Sequence, residues 1–124
     1  MSPDPVRHFP DDIRLRTASR VLEVSFDDGA RFALSFEYLR VFSPSAEVKG
    51  HGGGEGLLQT GKQSVVITAV EPVGNYAVRL VFDDGHSTGL YSWSLLYELG
   101  RDRDANWTRY LARCADAGVA RQDR

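Results

Sequence analysis

The tetrapeptide Phe-Asp-Asp-Gly occurs twice, as Phe26-Asp27-Asp28-Gly29 and as Phe82-Asp83-Asp84-Gly85, 56 residues apart. Each copy ends an alternating apolar segment, and each is followed by a second such segment and then by apolar residues at helical spacing. Asp-Asp-Gly supplies what a tight hairpin turn needs, namely side-chain oxygens that satisfy turn amides and a glycine that adopts positive φ. The pattern predicts strand, turn, strand and helix, used twice. At the same offset Leu34 matches Leu90 and Leu39 matches Leu95, so the two copies are expected to present equivalent apolar faces to one core. Two readings stay open: a duplicated unit, or two hairpins that share an efficient turn.

Around this frame the remaining elements can be placed. Ile13 to Asp27 alternates as two strands broken at Thr17-Ala18-Ser19, and Arg31-Phe32-Ala33-Leu34 resumes the alternation. Ser35 is the expected N-cap of a helix over Phe36 to Phe42, which Pro44 stops. Val65 to Val70 reads as a β-branched strand, Glu71-Pro72-Val73-Gly74-Asn75 as a turn, and Tyr76 to Phe82 as its antiparallel partner. Thr88 to Tyr91 reads as a short strand, and Ser92 caps a helix over Trp93 to Leu99 that Gly100 closes. A last helix is expected from about Asn106 through Ala117, with Trp107, Tyr110, Leu111 and Cys114 as its buried stripe. The fold class is α+β, a β-rich domain of antiparallel hairpins with two or three short helices. A flexible segment over 1–12, one domain over 13–118 and a frayed tail over 119–124 complete the organisation.

Composition narrows the function classes. The chain has 124 residues, enough for one core, and 42% hydrophobic with 26% charged residues is ordinary globular usage. A net charge of −2 provides no general positive field for a phosphate backbone, so nucleic acid is not an expected partner. No apolar run approaches the ~20 residues of a membrane helix, and the opening Met1-Ser2-Pro3-Asp4-Pro5 lacks a signal-peptide core, so a cytoplasmic protein without membrane contact is expected. The single cysteine, Cys114, rules out an internal disulfide and a multi-cysteine cage. Its place on an apolar stripe reads as core packing.

Two segments carry candidate chemistry. His86 follows Asp83 and Asp84 closely, and a histidine beside carboxylates can act as a base or a metal ligand. The competing reading is that the aspartates serve the turn, as in the twin turn at Asp27-Asp28-Gly29, which has no histidine. Gly50, His51, Gly52, Gly53 and Gly54 lie in a connection rich in glycine that is mobile unless something binds there. No phosphate-loop lysine and serine follow these glycines, so nucleotide binding is disfavoured and a partner-binding loop is preferred. His51, His86 and Asp84 are the candidate metal ligands. Trp93, Tyr97, Trp107 and Tyr110 could form an aromatic patch, but their helical spacing favours core packing for most.

Three stretches, Leu39 to Gly52, Val70 to Val78 and Phe82 to Trp93, together resemble the gamma-butyrobetaine hydroxylase-like N-terminal domain. The resemblance covers roughly Ile13 to Gly100. It implies a standalone bacterial member of unassigned function, related to domains that are fused to 2-oxoglutarate dioxygenases or that accompany P-loop iron–sulfur carrier proteins. It also implies a zinc position on three clustered cysteines and a later histidine, which fall on Ser43, Ser45, Val48 and His86. Hydroxyls and a valine do not supply thiolates, so zinc is not expected, and no cofactor is assigned. The expected function is a non-catalytic accessory or protein-interaction domain, with another protein or a second copy of itself as partner and with an iron–sulfur carrier or dioxygenase system as its setting. The alternative is a small metal-binding protein or metal-dependent enzyme using His51 and His86.

Overall fold

Seven residues, Pro10–Arg16, whose exposure alternates from Asp12 onward, form β1, and a turn with Arg20 at φ 57° leads into β2, Val21–Phe26. The Asp27-Asp28-Gly29 turn follows, with Gly29 at φ 90°, where a Cβ would be strained, and β3, Arg31–Ser35, pairs back on β2. Ser35 then caps α1, Phe36–Val41, by accepting the Tyr38 amide at 3.0 Å. The structure, a computed structural model, describes residues 8–44, 58–87 and 89–119.

The same sequence of events recurs. β4, Ile67–Val73, pairs with β5, Ala77–Phe82, which pairs with β6, Leu90–Ser92, and Ser92 caps α2, Trp93–Arg101, by accepting the Leu95 amide at 3.1 Å. Each sheet is a three-stranded antiparallel meander, ordered β1-β2-β3 and β4-β5-β6. Both units carry an irregularity of register at the same place in their first hairpin, between Pro10 and Asp12 and between Ile67 and Ala69. Gly85 repeats the φ of 90° of Gly29. The Phe36 amide bonds Arg20 O at 3.1 Å, and the Trp93 amide bonds Tyr76 O at 3.2 Å. A duplicated architecture accounts for these matches better than a shared turn alone.

The repeat is not a rigid offset. Val21 corresponds to Ala77, 56 residues on, but one residue added after the second Asp-Asp-Gly makes Ser35 correspond to Ser92, 57 residues on. The expected matches of Leu34 with Leu90 and Leu39 with Leu95 are therefore corrected. Leu34 corresponds to Tyr91, and both are buried, whereas Leu90 is 42% exposed. Leu39 corresponds to Leu96, and both are fully buried.

Other boundaries move for physical reasons. β1 begins ahead of Ile13, and Glu71-Pro72-Val73 is strand rather than turn, because β4 is an edge strand where a proline need not donate. Gly100 does not close α2. Asp102 does, and Gly100 lies inside the helix, where a Cβ would collide with the Phe32 ring. α3 spans Arg103–Asp116, starting ahead of the expected Asn106 directly after this cap.

One core joins both units. Leu22, Val24, Phe26, Leu34, Phe36 and Leu39 from the first pack with Ile67, Val78, Leu80, Phe82, Tyr91 and Leu96 from the second. Cross-unit bonds tie the helices in: Tyr38 Oη donates to Leu99 O and Tyr91 Oη to Leu39 O, each at 2.6 Å. Tyr110 and Cys114 of α3 form a smaller cluster with Val41, while Leu111 is exposed. Trp93, Tyr97 and Trp107 pack partly buried against the main core, so the exposed aromatics are Phe9 and Tyr76. Among the described residues no helix is long and apolar enough to cross a membrane.

Candidate functional site

The two acidic turns show what the repeated aspartates do. In each, Oδ1 of the second aspartate accepts the amide two residues on: Ala30 N to Asp28 at 2.9 Å, His86 N to Asp84 at 3.1 Å. Asp83 Oδ1 in addition accepts the Val66 amide at 3.0 Å. In each turn Oδ2 of the second aspartate faces the helix of the other unit. Tyr97 Oη of α2 donates to Asp28 at 2.7 Å, and Arg40 Nε of α1 donates to Asp84 at 2.9 Å. Arg40 and Tyr97 are equivalent positions, and each lies against the phenylalanine that ends the neighbouring strand: Tyr97 5.0 Å from the Phe26 ring, the Arg40 guanidinium 6.0 Å from that of Phe82. The acidic pair is thus the latch between units.

Around the second turn the chemistry diverges from the first. Where the first unit has Ala30 the second has His86, 8% exposed, with Nε2 2.8 Å from Ser43 Oγ. Where the first unit has Phe32 on β3, its ring seated over Gly100, the second has Gly89, whose Cβ would run into Ser43 Oγ. Ser43 and Gly100 are equivalent, so the glycine has changed sides and a serine hydroxyl stands where the ring would be. The result is a buried polar corner of Ser43, His86, Arg40 and Tyr91 in place of an aromatic plug. Burial pushes the Tyr91 phenol well above its usual range, against a smaller lowering by its bond with Ser43.

Asp84 is the electrostatic centre of this corner. Lys62 Nζ lies 2.8 Å from the same Oδ2 that Arg40 binds. Partial burial opposes its ionisation, but the bonds from Lys62, the His86 amide and Arg40 outweigh that and hold the carboxyl at about 2. A carboxylate so committed to two cations is a poor general base. Arg40 also directs Nη1 to Gln59 Oε1 at 3.5 Å, and the Gln59 carbonyl accepts Tyr110 Oη at 2.6 Å.

Of the sequence-predicted site residues, the structure brings Asp84 and His86 together through a backbone bond. His51 and Gly50, Gly52, Gly53 and Gly54 lie outside the described residues. Two positions expected from the zinc pattern, Ser43 and His86, do meet, but a hydroxyl faces the imidazole where a thiolate would be needed, so this pair does not fit tetrahedral zinc. No group of three histidine, cysteine, aspartate or glutamate side chains is poised for a metal among the described residues. Cys114 is 1% exposed, a core residue.

A second feature has no sequence signature. An open cleft of about 430 Å³ runs between the outer strands of the two sheets, lined by Ile13 and Leu15 of β1, Val70 and Pro72 of β4, and Val78 of β5. Ile13 and Leu15 occupy the positions equivalent to Val70 and Pro72, so the repeat itself builds the cleft from one apolar pair used twice.

The family model for "Gamma-butyrobetaine hydroxylase-like, N-terminal" matches residues 13–97. The chain belongs to the gamma-butyrobetaine hydroxylase-like N-terminal domain family. The matched span takes in both hairpin units, the latch and the polar corner. Three solved structures are similar to this member. One, determined by NMR in solution, shares 51% identity over 98% of this chain and 90% of its own, with a TM-score of 0.82. Another NMR structure shares 46% identity over 94% of this chain and 93% of its own, with a TM-score of 0.79. The third is the crystal structure of a protein of unknown function of the DUF971 family from Acidithiobacillus ferrooxidans, 43% identical over 73% of this chain and 91% of its own, with a TM-score of 0.63. No curated protein matches the chain.

Proposed function

We propose that this family member is a non-catalytic accessory module that binds another protein through the apolar cleft between β1 and β4. The cleft is the observation that carries the reading. Among the described residues both bordering strands are sheet edges with no strand paired along their outer sides, and the space between them is lined by aliphatic side chains. An extended apolar segment of a partner would gain main-chain hydrogen bonds from an edge and side-chain burial in the cleft. The polar corner supports the non-catalytic part, because the Asp84 carboxylate is committed to Arg40 and Lys62 and His86 Nε2 is engaged with Ser43. In this reading the partner belongs to an iron–sulfur carrier or dioxygenase system, in keeping with the company that related domains keep.

The test pairs capture with a cleft variant. Tagged wild-type protein should retain a reproducible partner from its native lysate, and Ile13→Glu, with an unchanged fold by circular dichroism, should lose it. Light scattering on the pure protein asks whether that partner is a second copy. Capture that Ile13→Glu leaves intact, or turnover by the isolated protein, would sink the proposal.

A further inference from the structure

The internal repeat serves as a control for what the fold requires at the latch. In the first turn one neutral hydroxyl, Tyr97 Oη at 2.7 Å, holds Asp28, and among the described residues no lysine or arginine pairs with it; the imidazole of His8, stacked on Tyr97, lies with Nδ1 3.6 Å away. In the second turn two full cations, Arg40 and Lys62, converge on one oxygen of Asp84. Latching an aspartate does not need both. The surplus is unusual because Arg40 is 7% exposed, and a buried guanidinium normally has its donors filled. Here Nε is bonded to Asp84, and Nη1 reaches Gln59 Oε1 only at 3.5 Å, the outer limit of a hydrogen bond. Among the described residues no acceptor meets the remaining donors. Arg40 Nη2 is not fully enclosed, whereas Gln63 Nε2, next to Lys62 in the chain, is buried and has no acceptor among the described residues. The side chains of Lys62 and Asp84, 22% and 23% exposed, keep this corner open to solvent.

We propose that Arg40 and Lys62, with Gln59 as a displaceable placeholder, form a binding site for an oxyanion, a carboxylate or phosphate group. The planar guanidinium presents parallel donors to two oxygens of such a group, and the ammonium adds a point charge beside it. Asp84 neutralises one of the two cations and orients Arg40 through Nε, which leaves a net positive charge for the ligand. The site is independent of the apolar cleft, so each can fail without the other.

The experiment is an NMR titration of the full chain with sodium phosphate and, separately, sodium acetate, at ionic strength held constant with sodium chloride. The readouts are the Arg40 Nε–H and the backbone amides of Asp84, Gly85 and His86. Saturable shifts with either anion are expected. Arg40→Tyr places at this position the residue that latches Asp28, so the latch is preserved while the oxyanion donors are lost. Lys62→Gln removes the second cation without touching the core. Each variant should weaken the apparent affinity by about tenfold or more. Should Arg40→Tyr fold poorly, Lys62→Gln alone decides, together with melting temperature, which the bound anion should raise in wild type and raise less in the variant. Shifts that track chloride equally, no saturation with either anion, or undiminished affinity in Lys62→Gln would overturn the proposal.

Discussion

At the scale of single residues, Asp84 and Gly100 carry the most consequence. The Asp84 carboxyl titrates at about 2 when folded, below the ~3.9 of an unfolded aspartate, so its stabilisation is full above about pH 4 and is lost as pH falls through 2. Its side chain is 23% exposed, and the linked contribution is roughly 2 kcal/mol at neutral pH. Urea unfolding should therefore show Asp84→Asn weaker than wild type by about that amount at pH 6, with the gap narrowing toward pH 2. Gly100 tests the opposite intuition. Alanine in place of a helical glycine usually stabilises by about 1 kcal/mol, but here the new methyl meets the Phe32 ring, so Gly100→Ala should lower stability by about 1–3 kcal/mol. Combining it with Phe32→Leu should recover part of the loss. A combined variant no more stable than the sum of the two single changes would contradict the knob-and-hole account.

Among the elements, those set by local chemistry were legible in the sequence. Both Asp-Asp-Gly turns and both serine caps follow from side chains that bond their own neighbours, and Ser35→Ala and Ser92→Ala should each cost about 1 kcal/mol in chemical denaturation. Elements whose limits depend on distant partners were not. Pro72 looks like a turn residue until β4 is known to be an edge, and Gly100 looks like a stop until Phe32 is known to sit over it. The added residue after Gly85 breaks a fixed-offset comparison, so Tyr91 was passed over for Leu90. The ends of β3 and β6 would have exposed it, because Ser35 and Ser92 are both caps. Arg40 and Lys62 were missed because nothing local marks a charge that becomes buried against a turn 44 residues away.

For the whole molecule, the cleft and the shared core come from the two units acting together, which is why no motif announced them. Charge in the cleft should be tolerated by the fold better than charge in the core. Val70→Glu at the cleft should retain cooperative thermal unfolding, whereas Leu80→Glu, at a site with 0% exposure, should not. Were both variants to melt alike, the cleft would be an ordinary part of the interior.

The reciprocal latch has an outcome for assembly. Because the first helix fastens to the second turn and the second helix to the first, neither half can close upon itself, and every clasp is equally satisfied when the matching half arrives from another chain. A concentrated sample, briefly loosened and allowed to re-form, would hold interlocked pairs in which each molecule completes its neighbour.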